Sequence, residues 1–146
     1  MGKKIKLAMA VGDDGNFQAK HFGDADKYEI YEWDNNSFFY LNEIINPFKT
    51  LDEEQEHGSR EKGKAIIGLL KENNINILVS KQFGKNIQMV IQHFIPVIVS
   101  KNTPGEVLEI LDKQIKWIED ELKNKPDEFS LFTINKGILK TKIKKS

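Results

Sequence analysis

Leu7-Ala8-Met9-Ala10-Val11 is an apolar run with no polar residue interrupting it. A strand with one wet face alternates apolar and polar residues, whereas a strand apolar on both faces has to be covered on both. The run follows Lys4-Ile5-Lys6 and stops at Gly12-Asp13-Asp14-Gly15-Asn16, a cluster of turn-forming residues. A central strand with helices on both sides of its sheet is therefore expected, and the chain falls in the α/β class.

The rest of the chain fits around that strand. Tyr28–Trp33 and Phe38–Ile45 read as two strands joined through Asp34-Asn35-Asn36-Ser37, a hairpin closed by Asn46-Pro47. The acidic stretch from Thr50 to Arg60 reads as a loop. A helix is expected from Ser59 to Asn73, with Ile66, Ile67, Leu69 and Leu70 on one face. Ile75–Ser80 and Pro96–Ser100 read as strands, separated by a helix from Asn86 to Phe94 that buries Ile87, Val90, Ile91 and Phe94. That unit is βαβ, so its strands are parallel with a right-handed crossover. Thr103-Pro104 opens a last helix running to Lys125-Pro126, with Leu108, Leu111, Ile115, Ile118 and Leu122 as its stripe. Phe129–Ile143 reads as an extra hairpin or a docked tail, and Lys136–Ser146 carries five lysines and no acid. The expected organisation is one α/β domain over residues 1–125 and a C-terminal extension over 126–146.

Composition narrows function. The chain has 22 acids and 22 bases, and Arg60 is its one arginine. A balanced charge with so little of the residue suited to bidentate phosphate contacts argues against a nucleic-acid partner. Cysteine is absent, which excludes disulfides, thiolate metal sites and cysteine nucleophiles. The apolar run behind the N-terminus is too short for a signal peptide or a membrane span. A cytoplasmic protein with no membrane partner is the expectation.

The three histidines can be placed by topology. If the first strand points up and the hairpin alternates, loops 12–26, 46–60 and 81–85 gather at the upper edge of the sheet. Open α/β sheets bind ligands outside the carboxyl ends of their strands. His21 and His57 fall in the first two of these loops, and His93 falls at the lower edge. Each has a plain alternative. His21 can shape the His21-Phe22-Gly23 turn by bonding a backbone carbonyl, His57 can be an exposed loop residue, and His93 can be a helix C-terminal histidine facing the helix dipole. Catalysis finds little support. The first strand has no acid within Leu7–Val11 and the fourth has none, so two-metal chemistry lacks its carboxylates. There is no nucleophile–base–orienter set, and Gly12-Asp13-Asp14-Gly15 matches neither nucleotide fingerprint. The expectation is a protein that is not an enzyme.

Several segments in order resemble one known family. Ile5–Val11 with Asp13-Asp14-Gly15 is similar to its opening strand and turn, His21-Phe22-Gly23-Asp24-Ala25 to its His-Phe-Gly signature, and Tyr28-Glu29-Ile30-Tyr31 to its next strand. Asn46-Pro47, His57-Gly58, Lys62-Gly63-Lys64 with Ile66–Leu70, and Phe83-Gly84-Lys85-Asn86 follow in the same order. Over roughly residues 4–112 the chain resembles the dinitrogenase iron–molybdenum cofactor biosynthesis family, the NifX/NafY-like carrier domain. The resemblance implies a ribonuclease-H-like fold with a five-stranded mixed sheet in the order 3-2-1-4-5. It also implies non-catalytic binding of an iron–sulfur-type metallocluster, the iron–molybdenum cofactor or its precursor, exchanged with donor and acceptor proteins. The positions it points to are His21, Phe22, Gly23, His57, Phe83, Gly84 and Lys85, with His21 as metal ligand. A preformed cluster brings its own sulfides, and imidazole suits iron, so the missing cysteines are no obstacle. The chain departs from the family where a glycine-rich turn is usual. It has Lys81-Gln82 there, and Lys81 and Lys85 would either attract an anionic cluster or block the crevice. The alternative reading is an interaction or regulatory module of the same fold, without a cluster, that uses its C-terminal segment to form a homodimer or to dock.

Overall fold

The computed structural model describes residues 4–49, 58–124, 127–134 and 138–141, with the backbone alone at 58–60 and 138–141. In chain order the elements are β1 (Ile5–Val11), β2 (Lys27–Trp33), β3 (Phe38–Ile45), α1 (Gly58–Glu72), β4 (Ile77–Ser80), α2 (Ile87–Val90), β5 (Ile95–Val99), α3 (Pro104–Lys113), α4 (Ile115–Asn124), β6 (Leu131–Ile134) and β7 (Ile138–Thr141). They build a mixed α/β molecule on one sheet in the order β3-β2-β1-β4-β5-β6-β7. The expected order 3-2-1-4-5 is present, but the described residues form seven strands and not the expected five. The other two are the C-terminal segment, which takes the hairpin form of its two expected readings, an antiparallel β6–β7 pair whose first strand adds parallel to β5. Phe132 and Ile134 are fully buried there, so β6 completes a core that β5 alone would leave open.

Apolar coverage explains the layering. Successive strand residues point to opposite faces. Leu7, Met9 and Val11 of β1 join Ile77, Val79, Val97, Val107, Leu111 and Ile118 under α3 and α4. Ala8 and Ala10 face the other way and join Tyr28, Ile66, Leu70, Leu78, Phe83 and Phe94 under α1 and α2. Both faces of β1 are covered, as its sequence requires.

Two helices differ from expectation. The one expected over Asn86–Phe94 is a 3₁₀ turn at Gly84–Asn86 followed by the single α-turn of α2. Its C-terminal end tightens through Gln92 N–H to Met89 O and His93 N–H to Val90 O, three-residue bonds that let the chain swing into β5 at Ile95. The last helix breaks at Gln114, which takes φ −110° and ψ 22°, so α3 and α4 are separate. α3 opens as expected from Thr103-Pro104, with a reciprocal cap between Thr103 and Glu106.

β1, β4, β5 and β6 run in one direction, and β2 opposes β1 and β3. The loops 12–26, after β3, and 81–86 therefore share one edge of the sheet. The segment 50–57, His57 included, lies outside the described residues.

Candidate functional site

The loop after β1 and the loop after β4 meet at His21. Its backbone is extended (φ −64°, ψ 153°) and caps the 3₁₀ turn Phe22–Asp24. His21 forms an isolated parallel bridge with Gln82, and Phe22 N–H donates to Gln82 O at 2.9 Å. The Gln82 carbonyl also accepts from the buried Ser80 hydroxyl at 2.9 Å. Below the bridge, the Phe22 and Phe83 rings pack with centroids 5.6 Å apart.

Gly84 lies against the imidazole. It sits at φ +65°, and a Cβ there would lie 2.8 Å from both Cε1 and Nδ1 of His21. The left-handed backbone and the contact with the ring both require glycine. His21 itself is exposed, so the ring rests on the Gly84 backbone with a side open to solvent.

The His21 loop is held from underneath by side chains that the sequence marks only as family-like segments and not as site residues. Buried Asn46 donates through Nδ2 to Gly23 O at 2.9 Å and to Ala25 O at 2.8 Å, and its Oδ1 accepts from Phe48 N–H at 2.9 Å. Its signal was its place before Pro47 at a strand end, which reads as a turn and not as a clamp. Tyr28 O–H donates to Phe22 O at 2.6 Å. Burial, with a contribution from Asp24, drives the Tyr28 phenol far above its ordinary value, so it stays a donor. Lys62 projects from α1 with its side chain 4% exposed. Its Nζ contacts Asp24 Oδ1 at 2.6 Å and donates to Lys49 O at 2.9 Å. One ammonium thus ties together the His21 turn, the loop after β3 and α1.

Charge at this edge is uneven. Asp24 is paired with Lys62, and Asp26 with Lys49. The Lys49 contact and the Asp13 amide hold the Asp26 carboxyl below its ordinary value. Lys81 and Lys85 have no ion-pair partner among the described residues. Among the described residues Lys81 and Lys85 are therefore free positive charges beside His21, while Asp24 and Asp26 are paired and the exposed Asp13 and Asp14 of the turn after β1 are not.

Of the positions singled out, His21, Phe22, Gly23, Phe83, Gly84 and Lys85 come together on these two loops. His21, Gly84 and Lys85 are exposed; Phe22, Gly23 and Phe83 are buried beneath them. His93 lies away from this edge, after α2. Its imidazole is held below its ordinary value by burial and then by Lys71, which is the reverse of a histidine charged by a helix C-terminus. Among the described residues no three of His, Asp and Glu cluster to hold a metal ion. Among the described residues this edge offers one imidazole, a glycine backbone and lysines.

A family model described as dinitrogenase iron-molybdenum cofactor matches residues 3–116. The match runs from β1 through α3 into the start of α4, and β6 and β7 lie beyond it. No curated protein matches the chain. No helix among the described residues is long and apolar enough to cross a membrane.

Proposed function

The chain belongs to the dinitrogenase iron–molybdenum cofactor family, and on that premise we propose that it is a non-catalytic carrier of an iron–sulfur-type metallocluster, with His21 as the ligand. The observation that carries this reading is the exposed His21 imidazole resting on Gly84, on a loop clamped by Asn46, Tyr28 and Lys62. The cluster is cargo. Its sulfides satisfy most of the iron coordination, and the protein adds an exchangeable nitrogen. Lys81 and Lys85 favour a negatively charged cargo at the same edge. A hold through one imidazole suits a protein that receives its cargo from one partner and passes it to another. Residues 126–146, an extension of the carrier domain in this reading, contribute no ligand.

The test is anaerobic incubation of the full chain with an iron–sulfur cluster or a cofactor precursor, followed by desalting and metal analysis. Wild type is expected to retain stoichiometric iron, His21→Ala to retain almost none, and His57→Ala reports whether the second histidine contributes. Equal retention by wild type and His21→Ala removes the ligand assignment, and no retention by wild type removes the carrier reading.

One observation favours the second reading, an interaction module without a cluster. Among the described residues β7 is the last strand of the sheet and presents an edge on which a further strand can pair. A dimer by light scattering, with no metal retained, would establish it.

A further inference from the structure

α1 contains two glycines inside its run, Gly63 and Gly68. Each costs helix stability relative to alanine. Gly63 has a reason within the chain, because a Cβ there would lie 2.5 Å from Nδ2 of Asn86. Among the described residues a Cβ at Gly68 would meet nothing within 4 Å, and Gly68 is exposed. Without a side chain, it leaves helix backbone open to close approach.

Gly68 floors a groove of about 450 Å³ between α1 and α2 with the turn that follows it, lined by Lys64, Ile67, Lys71, Met89, Gln92 and His93. That volume is in the range of small-molecule sites. The groove is separate from the His21 edge and shares no residue with it. Its chemistry is one-sided. Lys64 and Lys71 have no ion-pair partner among the described residues, Gln92 and His93 add polar nitrogens, and no acid lines it. Ile67 and Met89 give its middle an apolar surface. Lys64 and Lys71 are two helical turns apart, roughly 10 Å along the axis.

We propose that this groove binds a small amphipathic organic anion, its acidic groups paired with Lys64 and Lys71 and its apolar body lying on the bare backbone of Gly68 between Ile67 and Met89. A short chain with a carboxylate at each end, or a phosphate ester with a compact body, has this form. A larger residue at position 68 would put its side chain where the ligand lies.

Amide NMR titration of the full chain with adipate, suberate, glucose 6-phosphate and inorganic phosphate tests the proposal. The first two arms against the third separate a dicarboxylate from a phosphate ester, and inorganic phosphate reports charge without a body. At least one organic anion is expected to bind at millimolar concentration or tighter and to shift amides in 64–71 and 89–93. Lys71→Gln is expected to weaken it roughly tenfold, and Gly68→Leu to remove it. Leucine favours helix and its Cβ has open space, so fold is preserved; a Lys64→Gln, Lys71→Gln double variant gives an independent arm. Absence of shifts with every organic anion, shifts equal to those from inorganic phosphate, or shifts that survive Gly68→Leu or the double variant overturn the proposal. His21→Ala is expected to leave this binding unchanged.

Discussion

His21 and Gly84 stand 63 positions apart in the chain and act as one unit. Alanine at position 84 would strain a backbone at φ +65°, by about 1–2 kcal/mol, and its methyl would displace the imidazole. Gly84→Ala is thus expected to lose that much stability in urea and also to shift the His21 ring resonances, whereas a purely conformational effect leaves the ring signals alone. His93 supplies a second test at this scale. Its imidazole is depressed by burial and by Lys71, so the unfolded chain binds the proton more tightly. Stability is therefore complete above the ordinary value of 6.5 and falls as pH drops below it. Unfolding curves of His93→Gln between pH 5 and 7 are expected to be flatter than those of wild type; an unchanged slope assigns the pH dependence elsewhere. The positions that meet at the upper edge were reached through the family resemblance of His21-Phe22-Gly23 and Phe83-Gly84-Lys85, and only His21 also through topology, since glycine and lysine are ordinary in loops. Asn46 and Lys62 were not legible as site residues, because a buried lysine or asparagine looks like a surface one until its partners are known.

Elements were legible where their period was clear. β3 has its expected bounds and β1, β2 and β5 shift by a residue, since apolar runs between turn formers leave little freedom. The break at Gln114 was not legible, because the 3-4 spacing of Leu108, Leu111, Ile115, Ile118 and Leu122 continues through it. Only Leu111 and Ile118 of that stripe are fully buried, and the chain reaches them with two short helices. α3 also secures the outer hairpin, with Asp112 Oδ1 accepting from Phe38 N–H at 3.1 Å. Burial and then the nearby Asp34 and Glu109 carboxylates push the Asp112 carboxyl up, against that hydrogen bond. Its charge is thus a burden at neutral pH, and stability is lost as pH rises through its raised value. Asp112→Asn keeps the accepting oxygen without the charge and is expected to be at least as stable as wild type at pH 7. Asp112→Ala is expected to cost about 1 kcal/mol. Thermal unfolding of the pair separates charge from hydrogen bond; equal losses would mean that the acceptor is irrelevant.

For the whole molecule, hairpin and crossover rules supplied the strand directions and the family resemblance implied the order around β1; the C-terminal hairpin was one of two readings of Phe129–Ile143, left open because Leu131–Ile134 and Ile138–Thr141 are too short to show a period. Phe132 lies opposite Val97 in the parallel pairing and is fully buried. Phe132→Ala is expected to cost about 3–5 kcal/mol and to speed hydrogen exchange at Val97–Val99; a small loss would mean that β6 is an ornament on a self-sufficient sheet. The same strand bears on synthesis. The His21 edge, with its clamp, is complete once β4 and its following loop have left the ribosome. The α3/α4 face is not. Val97, Val99 and Ile118 share a core with Phe132 and Ile134, which follow them in the chain. A chain that stops before residue 131 would therefore carry an assembled His21 edge on a half-covered sheet, and its exposed core would mark it for proteolysis.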